Sequence, residues 1–152
     1  MNSKLTKYLS DFVDCLQDYF ARESISLNEF SKRAKIASGA ISAWMNLKYF
    51  PSSDSAIKVA DFFNCSLDYL FGLSSHHDFV KATKNETFLD RFESLCKQKN
   101  LSHYQVAKQC KVGEAMISKW KKGKYPKCET LIVLAKFFDC SIDYLIGRSD
   151  AY

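Results

Sequence analysis

Five lysines fall within nine residues of this 152-residue chain: Lys119, Lys121, Lys122, Lys124 and Lys127. A run of ammonium groups at one edge of a domain is suited to a polyanion. Each point charge can neutralise a phosphate and release a counterion. The excess charge is one-sided. Residues 1–76 hold eight basic and eight acidic side chains and so carry no net charge, whereas residues 77–152 hold fourteen and nine and carry the whole +5.

Other chemistries find no constellation. The six cysteines include no C-x-x-C pair, and His76, His77 and His103 show no ligand spacing, so no metal site or cofactor is expected. Structural thiols and a reduced, cytoplasmic setting are the default. No nucleophile–base pairing or glycine-rich phosphate loop is recognisable, so an enzyme is not expected. There is no run of eighteen apolar residues, and Asp11 and Asp14 interrupt the first segment, which argues against a membrane span or an export signal.

The elements that must position the lysines occur twice. Residues 25–72 align with 101–147 across one gap at Phe50, and nineteen of the forty-seven pairs are identical, among them Ile41/Ile117, Trp44/Trp120, Pro51/Pro126 and Gly72/Gly147. Helical spacing dominates both copies. Leu5, Tyr8, Leu9, Phe12, Leu16, Tyr19 and Phe20 step by three and four, and Phe88, Leu89, Phe92, Leu95 and Cys96 answer them.

Ser26-x-x-Glu29 and Ser102-x-x-Gln105 predict capping boxes before a second short helix. After a break at 35–38 or 111–114, a third helix carries Ile41 and Trp44, or Ile117 and Trp120, on its inner face at i, i+3. A fourth helix stops at Asn64 or Asp139, and a fifth is capped by Ser66 or Ser141 and ends at Gly72 or Gly147. The expectation is an all-α chain: a first domain over 1–72, a linker over 73–86 and a second domain over 87–152.

The pairing of the second and third helices is a helix-turn-helix pattern. With Ile-Ser-x-Trp, Lys-Tyr, Pro and Cys-Ser-x-Asp-Tyr-Leu-x-Gly in both copies, it resembles the Cro/phage-repressor (XRE) family of helix-turn-helix proteins. The resemblance implies two tandem five-helix bundles of the lambda-repressor-like type, with each third helix in a DNA major groove. It implies a bacterial or phage transcription regulator, read as a repressor, in the cytoplasm on the nucleoid.

By position in that family, base edges would face Glu114, Ala115, Met116, Ser118 and Lys119 in the second copy, and Ser38, Gly39, Ala40, Ser42 and Ala43 in the first. Phosphate would meet Ser102 and His103, or Ser26 and Leu27. The following loop brings Lys121, Lys122, Lys124, Tyr125 and Lys127, or Asn46 and Lys48. Lysine can address guanine, a carboxylate the cytosine amino group, and a serine either.

The copies depart from the family where glycine usually makes the turn; they have Lys35 and Lys111. The first copy's third helix offers only short side chains. The second copy is therefore expected to dominate double-stranded DNA binding. The alternative is a protein-interaction role, in which the first copy serves self-association or docking through Ile25, Leu27, Met45, Leu47, Tyr49 and Phe50.

Overall fold

The computed structural model describes residues 3–152. Ten helices follow one another: α1 (Ser3–Glu23), α2 (Leu27–Ala34), α3 (Ser38–Met45), α4 (Ser53–Phe63), α5 (Leu67–Leu70), α6 (Phe88–Gln98), α7 (His103–Gln109), α8 (Glu114–Lys121), α9 (Cys128–Phe138) and α10 (Ile142–Leu145). Among the described residues the only β pairing is an isolated antiparallel bridge between Lys81 and Ser149. Among the described residues no helix is long and apolar enough to cross a membrane. The chain divides between Asp78 and Phe79 into two compact units of five helices each.

Each unit closes over its own aromatic core. In the first, Phe12 and Trp44 meet edge-on at 5.7 Å, and Phe12 stacks on Phe71 at 5.1 Å. In the second, Trp120 stands edge-on to Phe88 at 5.4 Å and to Phe92 at 5.3 Å. Edge-to-face pairs add about 0.5–1.5 kcal/mol beyond burial. Ile41, Ile117 and both tryptophans are buried, as the i, i+3 spacing predicts.

The first helices of the two units carry the stripes read from the sequence but differ in length. Helix α1 runs for 21 residues. Helix α6 has only 11, because a capping box at Thr87 and Asp90 fixes its start. Of the two predicted boxes, the one at Ser102 is complete, with the Gln105 amide donating to Ser102 Oγ at 3.0 Å and the Ser102 amide to Gln105 Oε1 at 2.8 Å. At Ser26 only half forms: the Glu29 amide donates to Ser26 Oγ, while the Glu29 carboxylate turns to Arg33 at 2.6 Å. A guanidinium one turn downstream outcompetes a neutral amide for that carboxylate.

The stretch 73–86 is shared between the units. The Ser66 amide donates to the His77 carbonyl at 3.0 Å, and its hydroxyl to that of His76 at 3.3 Å. Ser141 repeats this with Tyr152 at 3.0 Å and Ala151 at 3.2 Å. The repeat thus extends past Gly72 and Gly147, through Ser74/Ser149, into a strap that returns to the last helix cap.

On the second unit, residues 81–86 are tied down as well. Ala82 donates to the Arg148 carbonyl at 2.9 Å, and the Thr83 amide to Asp150 at 2.9 Å. Gly147, at φ +79°, is required here, because a Cβ would run into the Glu86 carbonyl oxygen.

Arg91 is the buried hub of this corner. It is 1% exposed and reaches Asp150 at 2.8 Å, Glu86 at 3.1 Å and the carbonyls of Tyr144 and Ser149. Its guanidinium lies 4.2 Å from the centre of the Tyr144 ring. The Thr83 amide, with further hydrogen bonds from the Thr83 hydroxyl, Lys84 and Arg91, holds the Asp150 carboxyl at about 2.

A carboxyl depressed in the folded state stabilises it fully above its unfolded value near 3.9, and that contribution is lost as pH falls through 2. The second unit is therefore expected to loosen between about pH 4 and pH 2. Asp150→Asn should flatten that limb of an acid titration followed by circular dichroism.

All six cysteines are thiols. Cys65 is buried, whereas Cys140 at the matching position of the second unit is half-buried. Burial, aided by Asp18 beside Cys15 and Glu93 beside Cys96, pushes both the Cys15 and Cys96 thiols to about 11, so neither is an activated nucleophile.

Candidate nucleic-acid interface

Each helix-turn-helix is set by its turn. Helix α2 ends at Lys35 with φ 58°, and Lys111 takes φ 57° after α7. This is the left-handed conformation that usually selects glycine, and a side chain there costs about 1 kcal/mol. The chain then returns at once. The Ile36 amide donates to Ser31 O at 3.1 Å, and the Val112 amide to Ala107 O at 2.8 Å. Lys35→Gly and Lys111→Gly should each raise stability by up to about 1 kcal/mol, read as a higher melting temperature.

The turn leaves α8 with one face inward, through Ile117 and Trp120, and the opposite face outward. Glu114, Ala115, Ser118 and Lys119 are exposed there, while Met116 is half-buried. Beyond the helix, Gly123 at φ 92° reverses the chain, and the Lys124 amide donates back to Lys119 O at 3.2 Å. Around that reversal Lys121, Lys122, Lys124, Tyr125 and Lys127 are all exposed, as Lys119 is. None of the ion pairs among the described residues involves these five lysines. Their field is not cancelled locally, which suits attraction of a polyanion.

At the start of α7, Ser102 is exposed, and the half-buried His103 ring lies 5.2 Å from Phe92. Tyr104, outside the expected set, is 55% exposed, and the Glu114 carboxylate pushes its phenol above the ordinary value. A large aromatic between a cap and the core pair Val106–Ala107 was the signal for it.

The first unit presents the same geometry with different chemistry. Ser26, Ser38, Gly39, Ser42 and Lys48 are exposed, Ala40 is half-buried, and Ala43 is buried rather than exposed. A methyl group is too short to clear its neighbours where Lys119 does so in the other copy. Asn46 is spent on its own helix, donating to Ser42 O at 2.9 Å.

Phe50 is buried, its ring 6.1 Å from that of Phe71, and so leaves the expected apolar patch. Leu47 and Tyr49 are 41% and 51% exposed, and Ile25, Leu27 and Met45 are half-buried. Leu47 holds φ 57° where the second unit has Gly123.

Two short helices joined by a tight left-handed turn, with the second helix offering one face to solvent, define a helix-turn-helix unit, here present twice. The Helix-turn-helix family matches at residues 18–70 and again at 92–145. The chain belongs to that family, in its XRE form, as two tandem copies.

Among curated proteins it is similar to an HTH-type transcriptional activator, BcrR, of Enterococcus faecalis, with 42% identity over 64 residues. That match covers 41% of this chain and 31% of the relative, so the likeness spans about a third of the relative's length. No solved structure matches.

Proposed function

We propose that the chain is a sequence-specific, double-stranded DNA-binding transcription regulator in which the second unit supplies most of the affinity. The observation that carries this reading is the outward face of α8, continuous with five lysines that no carboxylate engages. In this reading α8 enters the major groove with Glu114, Ala115, Met116, Ser118 and Lys119 toward base edges. Ser102 and His103 meet phosphate on one side, and Lys121, Lys122, Lys124, Tyr125 and Lys127 on the other.

Family membership and the likeness to a transcriptional activator support a regulatory role. The direction of regulation, read as repression from the family resemblance, is decided by a reporter fused to the selected site. Two linked readers raise avidity without new contacts. Selection from randomised duplexes with the full chain should enrich a motif of one or two half-sites; failure to retain any duplex at low salt would overturn the reading.

A second reading of the first unit rests on Leu47. A leucine left 41% exposed in a left-handed turn is strained and only partly packed, which fits a surface that docks a protein or a second copy of the chain. Gly39 separates the two roles. A Cβ there meets nothing within 4 Å, so the fold does not require glycine at that position of α3.

Gly39→Ala should stabilise the first unit by up to about 1 kcal/mol. With the second unit dominant, the affinity of the full chain for DNA should barely change. A large loss of affinity in this stabilised variant would show that α3 approaches DNA closely.

A further inference from the structure

We propose that the first unit holds a binding site for a small organic cation, a guanidinium or amidinium on an aromatic body, in the corner that Arg91 fills in the second unit. The inference stands independently of the DNA-binding reading.

The two corners are in register. The Ile25 amide donates to Phe20 O at 3.2 Å and the Leu101 amide to Cys96 O at 3.0 Å, so α1 and α6 end alike. Counting back along both helices pairs Cys15 with Arg91. The straps fix the other side. The His77 carbonyl accepts from the Ser66 amide as the Tyr152 carbonyl does from that of Ser141, and Tyr69 answers Tyr144.

In the second unit this corner is filled. The Arg91 guanidinium lies over the Tyr144 ring and donates to the carbonyls of Tyr144 and Ser149. The Tyr152 ring packs on Tyr144 with centres 4.9 Å apart, its hydroxyl donates to Phe138 O at 3.3 Å, and Phe138 is buried. In the first unit smaller side chains replace both Arg91 and Tyr152. Cys15 and His77 instead line a cavity of about 300 Å³, together with Tyr69, the half-buried Phe63 and the buried Cys65. Small-molecule sites begin near this volume and have this character, aromatic walls with a few polar groups.

The walls and the rim select a cation. An aromatic face attracts positive charge through its quadrupole, most strongly where water is excluded, and the matching Tyr144 carries a guanidinium in this way. Ser10 and Ser75 stand where Glu86 and Asp150 neutralise Arg91, so the counter-charge must come from elsewhere. Asp18 supplies it. It lies on the cavity rim and enters no ion pair among the described residues, whereas Arg22 beside it is paired with Glu23 at 3.9 Å. The charge left over at the opening is therefore negative, which draws a cation in.

The test titrates the full isotope-labelled chain with two compounds of one shape, phenylguanidine, which is a cation, and phenylurea, which is neutral. Phenylguanidine should shift the amides of residues 15–23 and 62–77 with a Kd of about 1 mM or tighter, and should raise the melting temperature of the first unit. Phenylurea should bind about tenfold more weakly. The matching residues 91–99 and 137–152 should stay in place. Cys15→Arg supplies the guanidinium from the chain itself and should abolish the shifts.

Equal affinity for the two compounds would overturn the proposal, because the cavity would then take an apolar body regardless of charge. It also fails if residues 15–23 and 62–77 do not shift, or if the matching corner of the second unit shifts as much. Undiminished binding by a folded Cys15→Arg would contradict it too. The two compounds on the wild type decide the matter even where that variant does not fold.

Discussion

Replacing Lys121, Lys122, Lys124 and Lys127 together by glutamine is expected to lower DNA affinity by about three orders of magnitude near 0.1 M salt. Each phosphate contact contributes a slope of about −0.9 in the logarithm of affinity against the logarithm of salt, or roughly eightfold at 0.1 M relative to 1 M. Four contacts multiply to the order of a thousandfold, and the slope itself should fall by up to about 3.6.

The four side chains are exposed and outside every ion pair among the described residues, so their removal should cost the fold little. Anisotropy on labelled duplex across a salt series checks both numbers. An unchanged slope would mean that these lysines are a solvated face and that phosphate is met elsewhere.

The second large effect is on the fold. Trp44 is 1% exposed and Trp120 3%, and each indole is the wall between the first helix of its unit and the helix-turn-helix. Truncating a buried tryptophan to alanine costs about 3–5 kcal/mol, as lost transfer energy plus the cavity left behind. A unit of this size holds only about 4–11 kcal/mol in all.

Trp44→Ala and Trp120→Ala should therefore each lower the melting temperature of the affected unit by upwards of about 12 °C. Trp120→Ala should abolish DNA binding as α8 loses its support, while Trp44→Ala leaves most of it. A shift under about 3 °C would place the indole outside the core.

What was legible in the sequence was what is local. The i, i+3 spacing of Ile117 and Trp120 marks a buried stripe because a helix turns by a fixed angle, and with it the outward face of Glu114 and Lys119. The Ser102–Gln105 box was legible for the same reason, since both partners lie within one turn. Its twin at Ser26 failed because Arg33, also within one turn, competes for Glu29, and a pattern match does not rank competitors.

The tertiary features were beyond a linear reading. The strap at 74–77 looked like linker because its structure comes from hydrogen bonds to a cap ten residues earlier, not from any periodicity. Arg91 reads as one more charged helix residue until Glu86 and Asp150 are brought to it from either side. The turn between α7 and α8 was equally hidden, since Lys111 adopts a left-handed conformation that lysine seldom takes.

The most direct test is an amide NMR titration of the full isotope-labelled chain with a duplex obtained by selection. The amides of Ser102–Gln105 and Glu114–Lys127 should shift most, with Ser38–Ser42 shifting less. Shifts absent from Glu114–Lys127 and concentrated on another surface, or no shift at any residue with duplex in excess at low salt, would contradict the account.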